Sequence, residues 1–139
     1  MNTDQKTLRD ARQYCPTLVQ RKIEQENAML VDVREEDEVA QLVFDVPNVI
    51  YLPMSEFEQR FAELPKDREL ILSCSVGERS LKATYFLMYH GYEKVANMED
   101  GLKKWVRKGF PVRGDIASIT SARACCPPIT SPSTSGSCC

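Results

Sequence analysis

The stretch Glu69-Leu70-Ile71-Leu72-Ser73-Cys74-Ser75-Val76-Gly77-Glu78-Arg79-Ser80-Leu81 decides the fold. Apolar residues stand at successive positions from Leu70 to Leu72, the pattern of a strand buried on both faces. Cys74 follows at once and Gly77 three residues later. From residue 78 to residue 90 the pattern turns helical. Leu81, Tyr85 and Met88 share one stripe, Ala83, Phe86 and Leu87 lie beside it, and Gly91 is a stop signal. A strand that passes through a short glycine-bearing loop into a helix is a building block of an α/β sheet.

Working outward, the same alternation repeats. Ala28 to Val33, Val49 to Leu52 and Lys94 to Asn97 are further strand-like runs, and Ala11 to Cys15 is a weaker one ended by Pro16. Thr17 is placed to N-cap a helix through Glu24. Ser55 heads a helix carrying Phe57, Phe61 and Leu64 on one face. Residues 100–108 form a helix with Leu102, Trp105 and Val106 inward and Gly109 after it. Strands alternating with helices predict an α/β fold: a central parallel sheet of about five strands flanked by helices on both faces.

The 139 residues allow one ordinary domain. Composition changes after Gly114. Residues 115–139 hold two charged residues, Asp115 and Arg123, and are otherwise rich in Ser, Thr, Pro, Ala and Cys. The expected division is therefore a folded domain over 1–114 and a flexible tail over 115–139. Eighteen Lys plus Arg against 20 Asp plus Glu give a net charge of −2, which argues against nucleic acid and anionic membranes as partners. No apolar run is long enough for a membrane span, and the N-terminal residues lack the apolar core of a secretion signal. A cytoplasmic monomer is expected. Six Cys accompany a single His, and four of them, Cys125, Cys126, Cys138 and Cys139, lie in the tail. Without a secretion signal they read as reduced thiols. Cys15 reads as incidental.

The loop after Leu72 carries the chemistry. Ligands of an open α/β sheet bind at the carboxyl ends of its strands. A short loop leading into a helix N-terminus turns backbone N–H groups inward and forms a nest for an anion. A Cys at its floor has its thiolate, the nucleophilic form, stabilised there. His90 lies at the far end of the same helix, roughly 16–24 Å away at about 1.5 Å per residue. A Cys–His dyad is not expected, so Cys74 relies on the loop from Ser75 through Val76, Gly77, Glu78 and Arg79 to Ser80.

Cys-x-x-Gly-x-Arg-Ser after a strand resembles the active-site loop of a single-domain rhodanese. Asp32-Val33-Arg34-Glu35 resembles that family's Asp-Val-Arg-Glu signature. Tyr51-Leu52-Pro53 with Ser55 and Phe57 resembles its strand-Pro-helix entry. Gly91-Tyr92-x-x-Val95 and Gly101-x-x-x-Trp105-x-x-x-Gly109-Phe110-Pro111-Val112 resemble its C-terminal signature. The resemblance spans residues 12–113. It implies a sulfurtransferase in which Cys74 takes sulfane sulfur from thiosulfate or a persulfide. The resulting persulfide then passes that sulfur to a thiol, to cyanide or to a protein. No cofactor is implied and no metal site is assigned. Arg79 is expected to close the loop and face an anionic donor, with Asp32 on the neighbouring strand pairing with it. Arg34 is expected to be structural.

Three positions depart from the family pattern. Asp45 stands in place of a His, Asp100 in place of the first of two Gly, and Glu78 adds negative charge inside the loop. The first two read as packing variation. Two alternatives stay open. One is a thiol-based metal or metalloid binding protein using the tail cysteines. The other is an arsenate reductase or phosphatase-like activity of the same superfold, whose loops carry five residues between Cys and Arg rather than the four found here. The tail thiols are candidates for relaying sulfur from Cys74 or for holding a soft metal.

Overall fold

The computed structural model describes residues 10–120. Its elements in chain order are β1 (Arg12–Tyr14), α1 (Pro16–Gln25), β2 (Met29–Asp32), α2 (Glu36–Gln41), β3 (Leu42–Phe44), β4 (Val49–Tyr51), α3 (Met54–Arg60), β5 (Leu70–Ser73), α4 (Glu78–Tyr89), β6 (Val95–Met98), α5 (Gly101–Arg107), β7 (Val112–Gly114) and α6 (Ala117–Thr120). A 3₁₀ turn, Phe61–Glu63, extends α3. Five strands form one sheet in the order β1-β6-β5-β2-β4, every neighbouring pair parallel. β3 and β7 pair antiparallel as a separate two-stranded ribbon.

The pleat divides the core in two. Leu30 of β2 lies beside Ile71 of β5, and both join Val19, Ile23, Leu102 and Trp105 under α1 and α5. Val31, Leu70 and Leu72 point the other way and pack with Phe57, Ala83 and Leu87 under α3 and α4. Successive residues facing opposite layers explain why the central strands read as unbroken apolar runs. The crossover rule assigns the layers. Steps from β1 to β2 and from β2 to β4 run toward one edge, while steps from β4 to β5 and from β5 to β6 run toward the other. Right-handed connections then put α1 on one face and α3 and α4 on the opposite one.

That change of direction lies between β2 and β5, which are hydrogen-bonded neighbours. Their carboxyl ends, residues 32–34 and 73–77, therefore flank the topological switch point, where such sheets bind ligands. Residues 32–34 and 73–74 remain fastened beyond the strands, because the Val33 N–H donates to the Ser73 carbonyl at 2.9 Å.

Several elements differ from the reading of the sequence. α1 starts at Pro16, with Cys15 rather than Thr17 as its N-cap residue. Proline suits this first position because its missing N–H has no partner there anyway. α2 buries no side chain and so leaves no apolar period to read. Its N-terminal end is set by a capping box in which Glu38 accepts the Glu35 N–H at 2.9 Å. β3 and β7 are three residues each, too short for a periodic signal. Their ribbon brings Phe44 to 5.3 Å from Trp105, edge to face, and the Trp105 indole donates to the Pro111 carbonyl. Past Gly114, α6 lies against α5 and Ile119 packs onto the Trp105 layer. Among the described residues no helix is long and apolar enough to cross a membrane.

Candidate active site

Cys74 is the first residue after β5 and is fully buried. Its Sγ receives the backbone N–H of Gly77 at 3.1 Å and that of Ser80 at 3.4 Å. Ser80 belongs to the first turn of α4, whose N–H groups have no acceptor within the helix, so the sulfur takes the place of a missing carbonyl. The positive end of the α4 dipole points at the same atom. Gly77 makes the bend at φ 94°, and a Cβ there would approach the Asp100 nitrogen to 3.0 Å. A side-chain-bearing residue would be strained on both counts.

A second helix holds the loop from behind. The Leu102 and Lys103 N–H groups of α5 donate to the carbonyls of Cys74 and Ser75 at 2.8 and 3.0 Å. Carbonyls drawn toward α5 leave the loop N–H groups free to face the sulfur. This close approach requires Gly101, where a Cβ would come within 2.3 Å of the Cys74 oxygen. Asp100 and Gly101 are both left-handed, at φ 61° and 58°. The Gly-to-Asp departure at residue 100 is therefore a backbone matter rather than packing variation. Asp tolerates this conformation better than most residues, and its carboxylate lies 3.6 Å from Lys104.

Ser80 is also buried, and its hydroxyl has two partners within reach. It lies 3.4 Å from Sγ and 2.5 Å from Asn97 Oδ1. Asn97 Nδ2 donates to Gln13 Oε1 and to the Gly77 carbonyl, so the amide oxygen must be the atom that faces Ser80. A hydroxyl has one proton, and the shorter contact takes it. Asn97 thus ties β6, the loop and β1 together, a role its sequence context does not announce.

The expected pair between Asp32 and Arg79 does not form. Asp32 is held instead by Arg34, two residues on. Arg34 Nε donates to Oδ1 at 3.0 Å and Nη2 to Oδ2 at 2.8 Å, and Nη2 also donates to the Leu42 carbonyl at 2.7 Å. Both side chains are buried, so the guanidinium fork neutralises the carboxylate and clamps β2 to the end of α2. Arg79 turns to Glu38, donating from Nη1 at 2.8 Å and Nη2 at 3.1 Å, and Nη2 also reaches Ser75 Oγ at 3.3 Å. The Glu38 carboxyl is held below the usual carboxylate range, chiefly by the Arg79 hydrogen bonds, and Arg79 is raised by the same pair. Glu38 lies 41 residues from its partner, and only the packing of α2 beside the loop reveals the pair.

Val76 stands 46% exposed at the lip of the loop. A cavity of about 230 Å³ opens beside it, bounded by Ser75, Val76, Glu38, Lys103 and Ile119. Glu78 heads α4 and lines a separate cavity with Glu99 and Asp100. His90 stacks on Phe86 at the far end of α4, and its Nδ1 bonds the Phe86 carbonyl, well away from Cys74. Cys15 is buried at the turn between β1 and α1. Among the described residues no three His, Cys, Asp or Glu cluster to hold a metal. Cys125, Cys126, Cys138 and Cys139 lie outside the described residues.

Residues 16–108 match the family model of a rhodanese-like domain. A sulfurtransferase of Allochromatium vinosum is 38% identical over 96 residues, covering 69% of this chain and 88% of that protein. A thiosulfate sulfurtransferase of Arabidopsis thaliana is 34% identical over 95 residues, covering 59% of this chain and 69% of its own length. Among solved structures, a rhodanese-related protein from Thermoplasma volcanium superposes with a TM-score of 0.67 at 27% identity, covering 75% of this chain and 99% of that one.

Proposed function

The chain belongs to the rhodanese-like family of sulfurtransferases, and on that premise we propose that Cys74 carries sulfane sulfur as a persulfide between a donor and a thiophilic acceptor. The Cys74 thiolate attacks the sulfane sulfur of thiosulfate or of a persulfide. The bond between that sulfur and the rest of the donor breaks, and the remainder leaves with the electron pair as sulfite or a thiolate. Cys74 then bears an S–S⁻ group. A thiol, cyanide or a protein thiolate attacks the outer sulfur, and the electron pair of the broken S–S bond returns to Cys74. The two half-reactions balance between donor and acceptor.

The observation that carries this reading is the pair of backbone N–H groups on Sγ at the head of α4. Such donors stabilise a negative sulfur without a neighbouring base. Four residues separate Cys74 from Arg79, and so short a ring suits one added sulfur atom better than a tetrahedral oxyanion. Arg79 shares its charge with Glu38, which weakens its pull on a dianion and favours donors of lower charge, such as persulfides.

The test is a mass measurement after incubation with thiosulfate or inorganic polysulfide. The wild-type chain gains one sulfur atom, sensitive to reductant, and Cys74→Ser gains none. Absence of any adduct on the wild-type chain with both donors refutes the proposal.

A further inference from the structure

Val76 stands between two cavities of opposite character. On one side, about 400 Å³ is bordered by Glu78, Glu99 and Asp100 and by no Lys or Arg. On the other, about 230 Å³ is bordered by Ser75, Val76, Ile119 and three charged residues, Arg34, Glu38 and Lys103. Two of those three charges are already engaged. Arg34 is buried in its fork with Asp32, and Glu38 holds Arg79. Lys103 is exposed, and among the described residues no carboxylate pairs with its ammonium. Its neighbour Lys104 pairs with Asp100 instead. The backbone fixes Lys103 against the reacting loop, because its N–H donates to the Ser75 carbonyl at 3.0 Å. Cys74 directly precedes Ser75, so a molecule seated here lies beside the loop that holds the sulfur.

We propose that Lys103 sets donor specificity: the cavity takes a small organic persulfide bearing a carboxylate, and the Lys103 ammonium holds that carboxylate while Cys74 takes the outer sulfur. This rests on the persulfide reading above and names its donor. One unengaged positive charge answers one carboxylate. Val76, 46% exposed, and Ile119 offer apolar contact to the carbon stem. The cavity is smaller than the roughly 300 Å³ at which sites for drug-sized ligands begin, so it suits a donor of few carbons. The acidic wall beyond Val76 repels the same carboxylate and leaves one favourable side of approach. The Cys74 thiolate attacks the outer sulfur of the donor, R–S–SH. The S–S bond breaks, that sulfur passes to Cys74 with its proton, and the donor leaves as a thiolate with the electron pair. The carboxylate takes no part in the exchange, so the contribution of Lys103 belongs in donor binding.

Two donors of similar length separate charge from size. Mercaptopropionate persulfide carries a carboxylate, and mercaptoethanol persulfide carries a hydroxyl in its place. Single-turnover loading of the full-length chain is timed by alkylation, tryptic digestion and the mass of residues 69–79, whose one cysteine is Cys74. Lys103→Met is expected to raise the half-saturating concentration of the carboxylated donor about three- to fivefold, with the maximal rate changed by less than about twofold. Loading from mercaptoethanol persulfide is expected to change by less than about twofold. Lys103→Arg is expected to keep the wild-type value for the carboxylated donor, and Lys103→Glu to raise it further. Lys94→Met removes the same charge just before β6, at the end of the sheet opposite the loop, and is expected to leave both donors unaffected. Equal losses for both donors in Lys103→Met, a loss confined to the maximal rate, no loss at all, or the same loss in Lys94→Met overturns the assignment while the sulfur on Cys74 still upholds the persulfide reading. No sulfur on Cys74 of the wild-type chain from either donor removes both proposals together.

Discussion

Replacing Ser80 by alanine separates the two tasks its hydroxyl is placed to perform. The hydroxyl lies 2.5 Å from Asn97 Oδ1 and 3.4 Å from Sγ, and the geometry gives its proton to Asn97. Asn97 is 1% exposed and its amide nitrogen is already committed to Gln13 and Gly77. Removing the hydroxyl leaves a buried carbonyl oxygen without its donor, which costs about 1–3 kcal/mol. At about 4 °C per kcal/mol for a domain of this size, Tm falls by about 4–12 °C. Sulfur loading should change by less than about threefold, because the Gly77 and Ser80 N–H groups still hold Sγ. If the hydroxyl instead served the charged sulfur, its loss would remove about 1.5–3 kcal/mol from the loading step, or about 10- to 150-fold in rate. The assay pairs thermal unfolding with single-turnover loading from polysulfide, timed by alkylation and mass and run well below the variant's Tm. A loss of tenfold or more in loading with an unchanged Tm refutes the assignment of the proton. The double variant Ser80→Ala/Asn97→Ala should cost less than the two single losses combined, since the orphaned oxygen is gone.

Three further perturbations test other parts of the site. Gly101→Ala puts a Cβ 2.3 Å from the Cys74 oxygen in a left-handed backbone, so α5 must withdraw from the loop. Stability should drop by about 2 kcal/mol or more, with loading impaired even in the folded fraction; a neutral result by urea titration contradicts the bracing role of α5. Arg34→Met strands the buried Asp32 carboxylate and should cost about 3–5 kcal/mol. Asp32→Asn/Arg34→Met should recover part of that loss, and a cost under 1 kcal/mol for the single change would contradict the clamp. Glu38 has a lowered folded-state value, so its pairing with Arg79 adds stability above the ordinary carboxylate range, and the contribution fades as pH falls through that lowered value. Both side chains are 35% exposed, so the gap in urea midpoint between wild type and Glu38→Gln should correspond to no more than about 1 kcal/mol near pH 7 and close below about pH 4. The same variant frees Arg79 and should lower KM for thiosulfate; a raised KM would show that Glu38 does not compete for that charge.

The alternation of apolar runs with helical stripes was enough to place β2, β4, β5 and β6 in one parallel sheet, because period and run length are local properties that burial on two faces imposes on each strand. The loop from Cys74 to Ser80 was legible for the same reason. A nucleophile, a glycine and a helix start within seven residues are a local pattern, and the helix supplies its N–H donors wherever it begins. Cys125, Cys126, Cys138 and Cys139 were legible only as a count and a spacing. What the sequence did not contain was the choice of partners. Asp32 ends β2, Arg79 stands in the first turn of the helix that follows the neighbouring strand, and the two carry opposite charge, yet Arg34 reaches Asp32 within two residues and Glu38 meets Arg79 across 41. Asn97 reads as one more strand residue until β1, β6 and the loop converge on its amide, and Gly101 as a helix start until the Cys74 carbonyl lies against it. Residue type and spacing govern how a segment folds. Which charges neutralise one another, and which backbones touch, depends on distances between segments far apart in the chain, and those exist only once the two layers have closed on the sheet.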